Sequence, residues 1–571
     1  MRRRLLSGIV SFSLVFGLAT PSLADQNPIP IDDRERVFTK PWDSHLDIKK
    51  MWLTYGALGG LAIMPGSVFL KNMNTEEFCE TSLRDCVGLN QNVMAAGQAT
   101  FCAETKQIPC VEKLEIRRTG QAQWQETKFD NYWDATPSES TIAQFRKNLE
   151  GQKNFSGIRQ ISIKKGWASN PALKLMGSGP GPLMFSAPEF ASKGGTTKYL
   201  VEPYFVQFFN DFRQGKFASV TYDTFYVNIR PIAELISSDS KASVEAVVLS
   251  ETGKPWHGGF GVGGHNGNYY SVDGRSAFAA AFDPGLELQI TMQIPSEIGG
   301  WFHSRLTDPN LQLSNIAPGV SRLVISGASA DVPITNTAVE AFDPANEEYY
   351  EYTFGKNNED MEYRRRNGQG GMAGGFWDPN NGLDSFKFWF SKLDEQAKGK
   401  FSAWSVARMP IQRLGNNQCL NRTDRIQGLI NTNAMVYQSL VPEYKNGFLN
   451  YEVMGVHKDL NGEVQRGQYD LIMRSDAARC LYRFSSAPVS GTITVVDSNG
   501  QPQVATTTLG ESNGWLRLSA KNFTFSEKTV RVKLTQSRRS EITCVSRTNP
   551  GKIKKISGTK PRCPNGFRRS A

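Results

Sequence analysis

The sequence, 571 residues long, is poor in the signatures of catalysis. It holds five histidines, none followed by glutamate, so the H-E-x-x-H of zinc proteases is absent. No C-x-x-C occurs, which argues against a structural zinc site. Ser162-Ile163-Lys164-Lys165 has the S-x-x-K spacing of penicillin-binding enzymes, but their companion S-D-N and K-T-G strings are missing. Asp378 to Asp384 (DPNNGLD) loosely resembles a calcium loop without its distal glutamate, and reads as a turn. Among 55 acidic residues, sequence alone cannot pick a glycosidase pair, because such a pair is defined in space. These patterns assign no catalytic residue, metal ligand or cofactor.

What is present begins with glycine. Residues 254 to 274 read KPWHGGFGVGGHNGNYYSVDG, and Gly259 to Gly264 fit G-x-G-x-x-G. A dinucleotide site needs a strand before that string and a helix opening at its third glycine. Here Asn266-Gly267 and Asp273-Gly274 are turns and NYYSV between them is a short strand, so the glycines serve a bend. His257 and His265 lack helical i,i+4 spacing and an evident third ligand. Trp256, Tyr269, Tyr270, Phe376 and Trp377 stand beside Gly, Asn and Asp, as in carbohydrate platforms. These seven residues form the candidate ligand-binding set; core packing is the competing reading for each aromatic.

The cysteines are even in number, which for an exported chain implies disulfides. Cys419 with Cys480 and Cys544 with Cys563 are the expected isolated pairs. Cys79, Cys86, Cys102 and Cys110 allow three connectivities. A helix over 79–86 would hold those two Cα atoms about 10 Å apart and force them onto Cys102 and Cys110. A loop there makes 79–86 and 102–110 the natural local pairs.

Export itself is read from the start. Arg2, Arg3 and Arg4 precede an uncharged apolar run from Leu5 to Leu18, and Ser22-Leu23-Ala24 supplies small residues for cleavage after Ala24. A second uncharged run, Trp52 to Leu70, contains four glycines and Pro65. It reads as strand, turn at Pro65-Gly66, and strand, so membrane contact is not expected.

Charge is divided unevenly. The formal net charge is +10, of which the three N-terminal arginines contribute +3. Residues 537–571 carry ten Lys or Arg against Glu541 alone, a net of +9, which leaves −2 for the rest. Arg538, Arg539, Lys552, Lys554, Lys555, Lys560, Arg562, Arg568 and Arg569 are the candidate polyanion-binding residues. Wall polymers, lipid head groups and acidic polysaccharide are the candidate partners, with an anionic envelope polymer or surface glycan expected. Nucleic acid is not expected, because the tail lacks interleaved aromatics for base stacking. The competing reading is a solvated, partly disordered tail.

The fold class reads as mainly β: antiparallel sandwiches in several domains, stapled by disulfides, with few short helices. GLELQITMQIP alternates, with Leu286, Leu288, Ile290, Met292 and Ile294 on one face. KTVRVKLTQ does the same through Val530, Val532 and Leu534. In FASVTYDTFYVNIRP the phase slips between Tyr222 and Phe225, which suggests a bulge. Eight Asn-Gly pairs suggest type I′ hairpin turns, Asn499-Gly500 most clearly. Helices are expected over 138–152 and, less clearly, from Ser385. Residues 347–375 read as a surface excursion. The expected division is a signal peptide (1–24), a Cys-rich region (25–200), a central sandwich (201–335) and a loop-rich excursion with a short helix (336–415). A C-terminal β-domain (416–536) and a basic two-cysteine tail (537–571) complete it.

From about Tyr222 onward the chain resembles exported, surface-associated proteins of high-GC Gram-positive bacteria, a group without an assigned activity. The resembling segments are GWFHSRLTDPN, QGLINTNAMVYQSLVPEYKNGFLNYEVMGVHKDLNGEV, GQYDLIMRSDAARCLYRFSSAP and ATTTLGESNGWLRLSAKNFTFSEKTVRVKLTQ. The terminal T-C-V…K-P-R-C-P-N-G-F-R-R is similar to a short basic terminus on such proteins. The resemblance implies a β-rich surface protein and carries over no catalytic residue. The expected role is structural or adhesive, with the tail as tether; the alternative is a secreted polysaccharide hydrolase with unidentified carboxylates.

Overall fold

The computed structural model describes residues 93–133, 174–235, 276–340, 379–409, 417–536 and 540–570, apart from a few positions within them. It also describes residues 343–348 and short strands at 36–38, 50–55, 67–71, 162–164, 248–249, 255–256, 268–270 and 371–373. The principal strands are β1 (Val93–Gln98), β2 (Cys110–Arg118), β3 (Lys198–Arg213), β4 (Lys216–Leu235), β5 (Leu286–Pro295), β6 (Gly300–Ala317), β7 (Val320–Glu340) and β8 (Gly399–Arg408). They continue as β9 (Ile426–Thr432), β10 (Phe448–Met454), β11 (Arg466–Arg474), β12 (Val489–Asp497), β13 (Thr506–Ser512), β14 (Trp515–Thr524) and β15 (Lys528–Gln536). The last three are β16 (Ser540–Ser546), β17 (Ile553–Gly558) and β18 (Phe567–Arg569). Two α-helices lie among the described residues, α1 (Pro379–Trp389) and α2 (Ser475–Tyr482).

A long middle sheet runs β1-β3-β4-β8-β6-β9-β11-β14-β13. All its neighbours are antiparallel except β6 and β9. An outer sheet, β2-β5-β7 with the far half of β6, covers one face. A second outer sheet, Val436–Tyr437 with β10, β15 and β12, covers the other at its C-terminal end. The strand period of two sorts the side chains. Leu429, Ile472, Trp515, Phe302 and Val406 meet Leu114, Leu288, Ile290 and Leu323 in the first core. Ile430, Leu471, Leu516 and Trp301 meet Tyr451, Val495, Val530 and Val532 in the second. Strand β9 is therefore buried along its whole length, as expected of a strand covered on both faces and paired in parallel on one edge. The pairing joins strands from both sides of the expected boundaries at 200 and 416 in one sheet.

The mainly β reading holds, and several local expectations can be compared with the fold. Leu286, Leu288, Ile290, Met292 and Ile294 all point into the first core. The slipped phase in β4 is a bulge: Val206 pairs with Thr224 and Gln207 with Tyr222, leaving Asp223 extra. Trp52 to Leu70 contributes to two strands, Lys50–Tyr55 and Ser67–Lys71. No helix among the described residues is long and apolar enough to cross a membrane. Cys102–Cys110, Cys419–Cys480 and Cys544–Cys563 are bonded, with Cα separations of 5.0, 5.7 and 5.6 Å. Cys79 and Cys86, the signal segment and the helix expected over 138–152 lie outside the described residues.

Two expectations are corrected. The turn read over 378–384 is the first part of α1: Pro379 opens the helix, where a missing N–H costs nothing. Leu383, Phe386 and Trp389 fall on one face against Met435, Val436 and Met454, and that burial overrides the weak helix propensity of Asn-Asn-Gly. Asn499-Gly500 is not type I′, because only Gly500 has positive φ (77°). Asp497 Oδ1 accepts from the N–H groups of Asn499 and Gln501 (3.0 and 2.9 Å), which keeps Asn499 out of the left-handed region. Asp459 does the same for Asn461 and Glu463 (2.8 and 2.9 Å). Asn446-Gly447 and Asn513-Gly514, with no aspartate two residues upstream, have positive φ at both positions (54° and 78°, 50° and 77°), as type I′ requires. Within residues 416–536 the eight-residue helix α2 is one of the few short helices that the fold class allows.

Gly428, in the middle of β9, has room for hydrogen only: a Cβ there would meet the carbonyl oxygen of Ile472 and the ring of Trp301. Gly428→Ala is expected to destabilise the protein by about 1–3 kcal/mol, seen as a lower urea midpoint at unchanged slope.

Candidate functional site

The most demanding constellation is a buried joint where β6 changes sheets. Through Ser304, β6 pairs with β9; from Leu306 it pairs with β7 instead. The departure would orphan the Leu306 backbone on the β9 side. Asn431 closes that gap: its Oδ1 accepts from the Leu306 N–H (2.8 Å), and its Nδ2 donates to the Leu306 carbonyl (2.8 Å). Ser304 Oγ donates to the same Oδ1 (2.8 Å), and Asp470 Oδ2 accepts from Asn431 Nδ2 (2.7 Å) and from Gln468 Nε2 (2.6 Å). Burial holds the Asp470 carboxyl above its usual range despite these donors.

Beside the amide, Arg305 donates to the carbonyls of Thr432 (2.8 Å) and Ala434 (2.5 Å). His303, two residues earlier on the same face, stacks on Tyr437 with ring centroids 3.6 Å apart, and Arg305 lies 4.8 Å from that ring. Burial first, and then the Arg305 cation, pushes His303 well below the usual histidine range. Arg305 is engaged by backbone carbonyls and Asp470 by side-chain amides, while His303 Nε2 is buried without a hydrogen-bond partner. Sequence reading missed these residues. The available signal was the pair His303 and Arg305, polar at alternate positions in the buried first part of β6.

The second constellation is the C-terminal tail, which folds. β17, β16 and β18 form a three-stranded antiparallel sheet. Cys544 and Ile542 are buried, and the Cys544–Cys563 bond draws the connection before β18 onto the sheet. Lys554 Nζ sits 5.0 Å from the Phe567 ring. Lys552, Lys554, Lys555, Arg562, Arg568 and Arg569 are all exposed. Lys555 pairs with Glu541 at 3.2 Å. A compact module carrying unneutralised cations can gather a polyanion by counterion release and field focusing. Arg538, Arg539 and Lys560 lie outside the described residues.

The aromatic and histidine set is only partly placed. Trp256 lies in the strand Pro255–Trp256, paired with residues 248–249. Tyr269 and Tyr270 lie in Asn268–Tyr270, in register with Ala277 and Ser276. His257, His265, Phe376 and Trp377 lie outside the described residues. Ser162 is in the strand Ser162–Lys164, opposite Phe69. Gly510-Glu511-Ser512-Asn513-Gly514 fits the G-x-S-x-G spacing of serine hydrolases, yet its first three residues end β13 and Asn513-Gly514 is the hairpin turn into β14. The nucleophile elbow needs a helix after the serine, and here a strand follows. In comparisons with family models, with curated proteins and with solved structures, nothing matches this chain.

Two outcomes test the joint. Asn431→Leu strands the Leu306 N–H, leaves the Leu306 carbonyl only the 3.4 Å bond from Gln468 Nε2, and leaves Asp470 short of a donor. It is expected to cost roughly 3 kcal/mol or more by urea denaturation. His303 imposes a pH dependence of known sign. Above the unfolded value of 6.5 both states are neutral. As pH falls below it, the unfolded chain takes a proton that the fold refuses, so stability drops. Between about pH 7.5 and 5, wild-type urea midpoints are expected to fall more than those of His303→Gln.

Proposed function

We propose that this is an exported or cell-surface β-rich protein with a structural or binding role, held to an anionic polymer or surface glycan of the envelope by its C-terminal basic module. The observation that carries this reading is the folded, disulfide-closed state of residues 540–570, with its cations exposed. A charged tail that served solubility alone would need neither the sheet nor the bond. Three disulfides support an oxidising compartment, and the leader-like N-terminus supports export. The resemblance of the C-terminal segments to surface proteins of high-GC Gram-positive bacteria belongs to the same reading. The hydrolase alternative calls for two facing carboxyls roughly 5–10 Å apart. Asp470, the one described carboxyl that burial raises, is engaged by Asn431 and Gln468 at the sheet crossing and does not favour it.

The test is fractionation of cells expressing the full chain or a version ending at Gln536, followed by salt washes. The full chain is expected in the envelope fraction and to leave it as salt rises, with the shortened chain in the medium. Equal retention of the two would remove the module as tether.

A further inference from the structure

The two faces of the basic module differ, and the difference bears on which polyanion it takes. Residues directly opposite in adjacent strands share a face. Cys544 lies opposite Lys554 and Arg569, so those cations stand on the side closed by the disulfide. Val545 lies opposite both Ile553 and Arg568, and Thr543 lies opposite Lys555, on the other side. That open face carries Ile553, which at 58% is the most exposed large apolar side chain among the described residues. Val545 beside it is half-buried.

Two physical points discriminate between ligands. Exposed cations occupy both faces. A lipid surface is flat on this scale and meets one face at a time, whereas a flexible chain bends round and meets both. A polyphosphate offers charge alone and would leave the Val545–Ile553 strip in water. A sugar acid offers a ring with an apolar C–H face and a carboxylate at its rim. Val545 stands on the strand between those of Ile553 and Arg568, one strand spacing of about 5 Å from each, close to the width of such a ring. Arg568 can also grip a carboxylate with two parallel hydrogen bonds.

We propose that the open face of the module binds an acidic polysaccharide, with sugar rings on Val545 and Ile553 and carboxylates on Arg568. Lys555, shared with Glu541, is the secondary cation. This rests on the reading of the module as the envelope tether and names the class of polymer it holds.

Binding of the full chain and of its Gln536-terminated form to polygalacturonate, to polyphosphate and to phosphatidylglycerol vesicles tests it. The full chain is expected to bind polygalacturonate most tightly. Ile553→Ser is expected to weaken that binding by about threefold to tenfold, the effect of losing part of one buried aliphatic side chain. Ile553→Leu should restore it, and polyphosphate binding, which reports an intact fold, should stay unchanged in Ile553→Ser. Tighter binding to polyphosphate or to vesicles than to polygalacturonate would overturn the polysaccharide assignment while leaving the tether standing. So would an Ile553→Ser protein that binds polygalacturonate normally, or one that loses both polymers equally. Equal binding of the full and shortened chains to all three would overturn the tether as well.

Discussion

Strand β6 serves two sheets, and the structure depends on how its backbone is paired at the point of departure. An N–H and a carbonyl buried without partners would each cost on the order of 1–3 kcal/mol. The Asn431 side chain presents the same donor and acceptor as a peptide group, so it stands in for the strand residue that β9 no longer provides. Both cores meet at this point. Phe302 and Leu306 face the first, and Trp301 faces the second. Removing the amide would therefore disturb the seam between layers rather than one edge of one sheet.

How much of this was legible depended on whether burial is one-sided. In β5 one face is covered and the outer face carries Glu287, paired with Arg117, and Gln289, bonded to Glu115. Its sequence consequently alternates, and the strand and its core residues could be read directly. β9 is covered on both sides, so IQGLINT has no period to read, and its role as the shared strand was invisible. α1 was obscured for a different reason: Asn, Asn and Gly in its first turn carry turn propensity, and only tertiary burial of Leu383, Phe386 and Trp389 decides the matter. The Asn-Gly pairs show that a dipeptide signal needs its neighbours. At Asn461 and Asn499 an aspartate two residues upstream, visible in the sequence as Asp459 and Asp497, holds the turn in another type.

The candidate functional residues were legible by charge and illegible by shape. Ten cations against one acid in residues 537–571 are evident without a structure. Such a run ordinarily stays extended, because like charges repel and little apolar surface is available to offset chain entropy. Here the buried Ile542 and Cys544, the half-buried Phe567 and the Cys544–Cys563 bond supply a minimal interior, and the bond limits the unfolded chain as well. Folding then spreads the cations over two faces, so the field of the module is broad rather than linear. Apart from the three N-terminal arginines, the rest of the chain is near neutrality and adds little to it.

The polar joint also answers a problem of specificity. A seam built only of aliphatic side chains could accept β6 in more than one register, and a slip of one residue would exchange its two faces. The hydrogen bonds of Asn431 are satisfied by Leu306 in one alignment. Arg305 reaches the carbonyls of Thr432 and Ala434 only when its strand is in that same alignment. His303 and Arg305 are costly to bury, and replacing such groups with aliphatic residues often stabilises a protein. Their presence where β6 leaves β9 is explained if the cost of misalignment is higher still. A wrong register would leave an amide, a guanidinium and a carboxylate buried without partners at once.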